Sequence, residues 1–317
     1  MIARVTVRAC TMRKALLLYN PLSGRRRDCA GDVQAAAGAL KARGVEVSCA
    51  STEGPGLAIE QVRQAIQDGY DTVFACGGDG TIHEVAQGLV GSEVALGIIP
   101  LGTANSLASD LALPSSPVAA ATLAFEASPR RIAVGRVEFR RVDEGTSSRF
   151  FLVTAGIGVD AHLFYKLNPR AKRRLGVAAY YVKALHLWLT HKMEPFEVAV
   201  SPDRRGPVSQ LLAVRIRNFG GALRELAPGA SIEREDLRLV LFHTRSRAAY
   251  FSYVLRGLLG ARWKIPGIEL LHTTEVKCQA PQSSRIFVEA DGELLGMLPA
   301  QISVVPDALT ILAPANR

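Results

Sequence analysis

The sequence predicts an α/β domain followed by a larger, antiparallel β-rich domain. In residues 1–125, strand-like and helix-like patterns alternate, which is typical of a parallel sheet. Near residue 128 the pattern changes to strands separated by turn clusters, which is typical of antiparallel β structure. A chain of 317 residues is also long enough for two domains. We therefore predict the domains at residues 1–130 and 131–305.

Hydrophobic periodicity defines the elements of the first domain. The predicted strands are 14–20, 45–51, 71–77 and 94–100. Between them, apolar residues recur at helical spacing. The predicted helical faces are Val33, Ala37 and Leu40, then Ala58, Val62, Ala65 and Ile66, and finally Ile82, Val85, Ala86 and Leu89.

The second domain has a different pattern of short strands and turns. Its predicted strands are 130–142, 149–156, 195–201 and 209–218. Turn clusters are predicted at 143–148 and 202–206, and a helical interruption at 170–190. This spacing favours antiparallel pairing.

Composition excludes several classes of protein. The sequence has no run of 18 apolar residues, so we predict no membrane-spanning helix. Its first twelve residues contain no apolar stretch typical of a secretory signal. The five cysteines are widely spaced and include no CxxC pair. This argues against a disulfide framework or a zinc site and favours a reducing, cytoplasmic location.

The positive charge is concentrated in the second part of the chain. Residues 1–125 hold 10 Lys and Arg against 11 Asp and Glu, whereas residues 126–317 hold 28 against 18. We infer an anionic partner, and a membrane surface is the partner that we expect. We expect no nucleic acid, because no basic motif is interleaved with aromatic residues. The structural alternative is a basic, solvated face.

Residues 77–81 read Gly-Gly-Asp-Gly-Thr, between a predicted strand and a predicted helix. At such a junction, backbone N–H groups and the helix dipole converge on an anion, and glycines let phosphate oxygens approach closely. The segment is neither a P-loop nor a dinucleotide-binding fingerprint. Because Asp79 would repel a phosphate unless a cation lay between them, it favours Mg²⁺ with ATP. The structural alternative is a tight turn.

A second Gly-Thr pair follows the next predicted strand. Gly102 and Thr103, with Asn105 after them, belong to residues 98–111. Loops at the carboxyl ends of parallel strands share one crevice, so this loop is expected to face the first. The structural alternative is a capped helix start.

Residues 19–27 follow the first predicted strand. Asn20, Ser23, Gly24 and three arginines offer donors and positive charge to a triphosphate. A turn with solvated arginines would have the same composition, so both interpretations remain open.

Residues 287–296 place Asp-Gly between alternating apolar runs, which is a strong hairpin signal. A hairpin does not itself require two carboxylates. One of Asp291 and Glu293 is therefore a candidate to take a proton from an attacking hydroxyl.

Taken in order, these segments resemble the diacylglycerol kinase catalytic-domain family, which includes bacterial soluble lipid kinases and sphingosine kinases. The likeness spans nearly the whole chain. Its motifs are NPLSG (20–24), GGDGTIHEVAQGL (77–89), GIIPLGTAN (97–105), AGIGVDA (155–161), KRRLGVAAYY (172–181), RNFGGALRELAPGA (217–230) and DGE (291–293). The GGDGT motif alone is shared with NAD kinases and is similar to the phosphofructokinase loop, whereas PLGTAN and DGE look like the lipid kinases.

The resemblance implies a nucleotide-binding α/β domain of phosphofructokinase/NAD-kinase type and a β-rich lipid-substrate domain. It implies that the active site lies in the cleft between the two domains. It also implies that residues 306–317 belong to the first domain. The implied cofactors are ATP and Mg²⁺, with Asp79 holding the Mg²⁺–phosphate group or assisting the transfer. The implied nucleotide contacts are Asn20, Ser23, Gly24, Thr52, Gly77, Gly78, Gly80, Thr81, Glu84, Thr103 and Asn105.

The resemblance also assigns the acceptor side of the reaction. Glu293 is similar to the family's proton acceptor, with Asp291 beside it as partner or ligand. Asp160 is expected to contact the lipid head group. The partners are then a lipid substrate and a membrane surface that the protein binds peripherally, with a homodimer as a further possibility.

Two departures from the family bear on these expectations. Arg234 falls where many bacterial members carry the Asp of an accessory Mg²⁺ site, and Glu235 replaces their Gly. A cation at a ligand position argues against that metal site. His83 and the segment Asn105–Ala108 look slightly more like sphingoid-lipid kinases, so the acceptor is left open between a glycerolipid and a sphingoid. We expect His83 itself to be a packed histidine.

From the sequence we therefore expect an ATP-dependent lipid kinase that transfers the γ-phosphoryl group to a lipid hydroxyl. Two alternatives remain. One is a soluble-metabolite kinase related to NAD kinase, and the other is a catalytically silent nucleotide-binding regulator.

Overall fold

The structure is a computed structural model of the chain. The residues that it describes are 12–21, 23, 28–52, 54, 56–143, 145–159, 161, 186, 189–190, 193–220, 225–261, 263–281 and 284–314.

The chain forms two compact units. Unit 1 comprises residues 1–133, 218–221 and 306–317, and unit 2 comprises residues 134–217 and 222–305. The first boundary lies close to the predicted one at residue 130. Neither unit is a single continuous stretch of chain.

Unit 1 contains the alternating strands and helices that the sequence predicts, and two more helices after the fourth strand. Its elements are β1 (Lys14–Tyr19), α1 (Cys29–Lys41), β2 (Glu46–Ser51), α2 (Ala58–Gln67), β3 (Thr72–Gly77), α3 (Asp79–Leu89), β4 (Ala95–Pro100), α4 (Ser106–Asp110) and α5 (Pro117–Glu126). The four strands are parallel, in the order β4–β3–β1–β2. The end of the chain adds a fifth strand beside β4, through Thr310 and Ile311.

Local chemistry explains where these helices begin. The carboxylate of Asp28 accepts a hydrogen bond from the backbone N–H of Gly31 at 2.7 Å and caps α1. The hydroxyl of Ser116 accepts from Ala119 N–H and caps α5, whose first residue is Pro117. The predicted helical faces are buried, except that Ile66 is half-buried.

The described part of unit 2 consists mainly of antiparallel strands, as the sequence predicts for a β-rich domain, together with a helix. Its elements are β5 (Pro129–Arg140), β6 (Thr146–Phe151), β7 (Thr154–Ile157), β8 (Phe196–Ser201), β9 (Arg204–Val208), β10 (Gln210–Val214), β11 (Leu237–Phe242), α6 (Arg247–Leu259), β12 (Ile268–Thr273), β13 (Glu275–Gln279), β14 (Phe287–Ala290) and β15 (Glu293–Leu312). Strands β5 and β15 begin in one unit and end in the other. The main strand order is β12–β11–β10–β7–β14–β15.

Three predicted elements differ from the structure. The turn cluster expected at 143–148 is shorter, because β6 starts at Thr146. The single strand expected at 149–156 is broken between β6 and β7, at residues that hydrogen-bond a distant carboxylate. The turn cluster expected at 202–206 is mostly strand, because β9 starts at Arg204 and pairs with β8. The helix expected at 170–190 lies almost entirely outside the described residues.

Each unit has its own apolar core. Cys29 and Cys76 are buried in unit 1 and Cys278 in unit 2, all as free thiols. Burial raises the pKa of the Cys76 and Cys278 thiols, so both stay protonated at neutral pH. Three of the four cysteines in the described residues are therefore core residues. In the described part of the chain, no helix is long and apolar enough to cross a membrane.

A buried arginine holds together the segment that precedes β11. Arg215 lies just after β10 and is only 1% exposed. Its Nη1 donates to the carbonyl oxygens of Arg234 and Asp236, each at 2.6 Å, and its Nη2 donates to the carbonyl of Ile232 at 3.1 Å. Burial lowers the pKa of Arg215 to about 10, so the guanidinium remains charged at neutral pH. Three carbonyl groups therefore surround a cation that the chain itself supplies.

This arrangement shows how the departure at Arg234 is accommodated. Arg234 directs its exposed guanidinium at Asp236, with Nε 2.8 Å from Oδ1, and this hydrogen bond lowers the pKa of Asp236. The cation that meets the carbonyl groups of this segment is thus Arg215 and not Arg234. Across the described ranges, no cluster of three or more His, Cys, Asp or Glu side chains could hold a metal ion.

We predict that Arg215→Met lowers the free energy of unfolding by about 3 kcal/mol or more, because each buried carbonyl left without its donor costs about 1–3 kcal/mol. Urea unfolding followed by circular dichroism measures the loss. The matched control is Arg234→Ala, which removes an exposed arginine from the same segment and should change stability little. Equal losses in the two variants would contradict a bracing role for Arg215.

Candidate active site

Four loops meet at the carboxyl edge of the parallel sheet in unit 1. They follow β1, β2, β3 and β4, which are neighbours in the sheet. The chain goes from β1 to β2 on one side and returns to β3 on the other, so β1 and β3 flank a topological switch point. Open α/β sheets bind ligands at such points.

The junction of β3 and α3 is tied to the loop after β4 by backbone contacts. The carbonyl oxygen of Gly77 accepts from Leu101 N–H at 2.9 Å and from Gly102 N–H at 3.2 Å. A Cβ placed on Gly102 would lie 2.4 Å from the Cα of Gly78. Packing between the two loops therefore requires glycine at position 102, whether or not a ligand binds.

Gly77 is also required by packing. A Cβ at this position would lie 2.4 Å from the Oγ1 of Thr81, which is itself buried in the first turn of α3. The predicted phosphate contacts Gly77 and Thr81 thus have structural roles in shaping the junction.

Gly80 differs from these glycines. It is exposed in the first turn of α3, and a Cβ placed on it would meet nothing within 4 Å. Glycine inside a helix costs about 1 kcal/mol relative to alanine. Unlike Gly38 inside α1, Gly80 lies in the first turn of its helix, where backbone N–H groups are available to an anion.

Asp79 and Asn105 hold the loop after β4 in place. The Oδ1 of Asp79 accepts from the backbone N–H of Ser106, the first residue of α4, at 2.7 Å. Asn105 has a left-handed backbone (φ 51°), and its side-chain amide bonds both the N–H (3.0 Å) and the carbonyl (2.9 Å) of Gly102. Mg²⁺ in phosphate sites needs only one or two protein carboxylates, and Asp79 fits that requirement. Thr103 is exposed between these anchored residues.

The loops after β1 and β2 are joined to the same edge. Thr52 N–H donates to the carbonyl of Tyr19 at 2.8 Å, and Asn20 N–H donates to the carbonyl of Cys76 at 3.3 Å. From α3, the Oε1 of Glu84 accepts from Gly56 N–H at 3.1 Å. Glu84 therefore positions the loop after β2.

Two further predicted residues of unit 1 are described by the structure, Ser23 after β1 and His83 in α3. Ser23 N–H donates to the carbonyl of Asn20 at 3.0 Å, and Gly24 lies outside the described residues. His83 is buried, with Nε2 3.4 Å from Nε2 of Gln87, and is the packed histidine that we expected.

The Asp-Gly-Glu segment of unit 2 forms the turn between β14 and β15. Asp291 (φ 47°) and Gly292 (φ 85°) both have left-handed backbones, as in a two-residue hairpin turn. The carboxylate of Asp291 accepts from the backbone N–H groups of Leu152 (2.8 Å), Val153 (2.9 Å) and Thr154 (3.0 Å). These hydrogen bonds explain why β6 and β7 are separate strands. They also use both carboxylate oxygens of Asp291 to hold the turn in position.

A second carboxylate under this turn was missed by the sequence analysis. Glu289 is only 2% exposed, and its Oε2 accepts from Gly292 N–H at 3.0 Å. It pairs across the sheet with Gly156, where a Cβ would lie 2.6 Å from the Oε1 of Glu289. The signal was present, because a charged residue interrupts an apolar strand opposite a glycine. Asp160, the predicted head-group contact, lies outside the described residues.

Glu293 is the exposed carboxylate of this turn. It is the first residue of β15, directly after Gly292. The turn therefore directs one acidic side chain inward at position 289, uses a second for backbone bonds at 291, and presents a third to solvent at 293.

Residues 14–137 match the family model for the diacylglycerol kinase catalytic domain, and residues 153–313 match the YegS C-terminal NAD kinase beta sandwich-like domain. A diacylglycerol kinase of Mycobacterium tuberculosis (strain CDC 1551 / Oshkosh) is 31% identical over 312 residues, covering 96% of each chain. The chain belongs to the diacylglycerol kinase family. It is thus a kinase that acts on a lipid alcohol, as the sequence predicts.

Two further similarities agree with this assignment. A diacylglycerol kinase of Bacillus subtilis (strain 168) is 29% identical over 315 residues, covering 96% of this chain and 98% of its own length. A crystal structure of a diacylglycerol kinase from Bacillus anthracis str. Sterne has a TM-score of 0.71 at 18% identity, covering 95% of this chain and 97% of that one. The predicted fold class, an α/β domain with a β-rich domain, is confirmed.

We predict that Asp291→Asn destabilises this kinase by about 2 kcal/mol, because an amide has one acceptor oxygen where the carboxylate used two for three N–H donors. Thermal unfolding measured by calorimetry gives the difference. Glu293→Gln is the matched control and should leave the melting temperature unchanged, since that side chain is exposed. A larger loss in Glu293→Gln than in Asp291→Asn would show that the two roles are reversed.

Proposed function

We propose that this kinase transfers the γ-phosphoryl group of ATP to the hydroxyl of diacylglycerol. The observation that carries the nucleotide part is the open space beside Gly80, at the N-terminus of α3, where the loops after β1, β2 and β4 also converge. The acceptor is supported by the names of the full-length relatives.

In this proposal the backbone at Gly78–Thr81 binds nucleotide phosphates through N–H groups at the helix start. Asp79 would hold a Mg²⁺ ion bound with the nucleotide, and such an ion would neutralise charge on the transferred group. Because Asp79 also anchors Ser106, a single carboxylate couples metal binding to the shape of the loop after β4.

The proton acceptor in this proposal is Glu293. The carboxylate of Asp291 already accepts three backbone hydrogen bonds, which use both of its oxygens in holding the turn. Glu293 is exposed and directly follows this turn, to which Glu289 is also hydrogen-bonded. It accepts the hydroxyl proton as the lipid oxygen bonds to the γ-phosphorus, while the bond from that phosphorus to the β–γ bridging oxygen breaks and ADP leaves.

In this proposal the acceptor is a glycerolipid, because the full-length relatives are named diacylglycerol kinases. His83 was one of two features that looked like sphingoid-lipid kinases, but it is buried and contacts Gln87, so packing accounts for it. The other feature, Asn105–Ala108, is accounted for by the anchoring of the β4 loop and by the burial of Leu107 and Ala108.

We predict that Gly80→Ala weakens ATP binding at least tenfold while raising stability by up to about 1 kcal/mol, because the added methyl fills the ligand space and favours the helix. Isothermal titration calorimetry and urea unfolding measure the two effects. The matched control is Gly38→Ala, an exposed glycine inside α1 with equally open surroundings. It should gain similar stability and bind ATP normally. Unchanged ATP binding in Gly80→Ala would remove the phosphate site from the start of α3.

We predict that purified protein transfers phosphate from labelled ATP to diacylglycerol, and that Glu293→Gln lowers kcat by about 10²–10⁴-fold with normal stability, since that range is typical for loss of a general base. Sphingosine, ceramide and NAD serve as competing acceptors in separate reactions. Transfer to NAD would establish the soluble-metabolite alternative, and ATP binding without any transfer would establish the regulator.

A further inference from the structure

Helix α6 of unit 2 turns its apolar side to solvent. Its exposed apolar residues recur at positions i, i+3, i+4 and i+7, which is the spacing of a helix face that normally packs on a core. These residues are Phe251, Val254, Leu255 and Leu258. The inward side instead carries Tyr250, Tyr253, Arg256 and Gly257. The face that would be buried in an ordinary amphipathic helix is therefore the outer one.

The apolar surface is concentrated in this region. Ten large apolar side chains are exposed in the described part of the chain, and six of them fall between residues 251 and 263. They include Phe251 at 59% and Leu259 at 65% exposure, together with Trp263 at 40%. Single exposed apolar residues are normal, but a contiguous patch indicates an interaction surface.

Positive charge surrounds this patch. Residues 245–264 contain five Lys and Arg and no Asp or Glu. The indole Nε1 of Trp263 donates to the hydroxyl of Ser252 at 3.2 Å, which holds the ring against the helix. Tryptophan, leucine and phenylalanine beside basic residues are typical of helices that lie in a membrane interface.

A basic pocket of about 740 Å³ lies beside the helix. Its cationic lining residues are Arg238, Arg256 and Lys264. Its acidic residue, Glu269, is already bonded by Arg204 and by His243, so its charge is offset. The pocket therefore carries net positive charge.

Arg256 contributes a buried charge to this pocket. It is only 5% exposed, and its Nη2 donates to the carbonyl of Leu226 at 3.3 Å. Its guanidinium also lies over the ring of Tyr253, at 4.9 Å from the centroid. Because these contacts hold the cation in the wall of the pocket, its charge attracts a phosphate group there.

We propose that α6, with Trp263 and the adjacent basic pocket, docks this kinase onto an anionic phospholipid membrane. The apolar face enters the interface, and the pocket accepts a phosphate head group. The inference rests on the proposed function only in that the acceptor lipid is held in a bilayer. A second copy of the chain would bring like charges together, and nucleic acid would leave the apolar face uncovered.

The test is sedimentation with vesicles of phosphatidylcholine, with and without phosphatidylglycerol, in the absence of ATP and diacylglycerol. Wild type should bind only the vesicles that contain phosphatidylglycerol, and less at high salt. The triple variant Phe251→Gln, Leu255→Gln, Leu258→Gln should bind about tenfold more weakly or worse, because the inserted apolar area is lost. Arg247→Gln combined with Lys264→Gln should weaken binding about tenfold through lost charge.

The matched control is Val142→Gln, which removes another exposed apolar side chain of unit 2, 62% exposed, and should bind as wild type does. Melting temperatures confirm that all variants are folded. Unchanged vesicle binding in the triple variant would overturn the proposal. So would a wild-type dimer in light scattering that the triple substitution converts to monomers.

A separate assay distinguishes this inference from the proposed function. With a short-chain diacylglycerol dispersed without vesicles, the triple variant should transfer phosphate at the wild-type rate. If no variant phosphorylates any lipid but the triple variant still loses vesicle binding, the acceptor assignment fails and the docking surface stands. If the short-chain reaction falls together with vesicle binding, the helix serves the reaction itself and the docking proposal fails.

Discussion

Backbone N–H and C=O groups that leave a sheet must find new partners, and in this protein charged side chains supply many of them. Asp79 takes the N–H that starts α4, and Asp291 takes three N–H groups where β6 gives way to β7. Arg215 donates hydrogen bonds to three backbone carbonyl groups before β11. Each of these charges fixes an irregular segment in one conformation. The loops that carry the candidate site residues are therefore held by hydrogen bonds, as are the strands that they follow.

The elements that the sequence predicts well are those set by local periodicity. The helical faces of α1 and α3 are buried as expected, because an apolar stripe on a helix packs against the core of the domain. The break at 152–153 could not be predicted in this way. Its cause is a carboxylate at position 291, far away along the chain, and no pattern within residues 149–156 contains that information.

In the candidate site as well, the sequence indicates which residues matter, but only the contacts show what each residue does. Motif order correctly indicates a lipid kinase, but it makes Gly77 and Gly80 equivalent nucleotide contacts, and the residue types alone leave the proton acceptor open between Asp291 and Glu293. Contacts separate them, since Gly77 is fixed by packing, Gly80 is not, and Asp291 is occupied where Glu293 is exposed. For α6, the spacing of Phe251 and its neighbours would have indicated a helix. The direction that this face points depends on what the rest of unit 2 leaves uncovered, which no local pattern states.

The passage of β15 from unit 2 into unit 1 has a consequence for biosynthesis. Thr310 and Ile311 cover the edge of β4, and Leu309 is fully buried. While the chain is still being made, β4 presents unpaired backbone groups, and an open strand edge is a template for association with other chains. Most of the α/β unit precedes unit 2 in the sequence, but its sheet cannot be finished until Thr310 and Ile311 have left the ribosome. Its completion is thereby coupled to synthesis of unit 2.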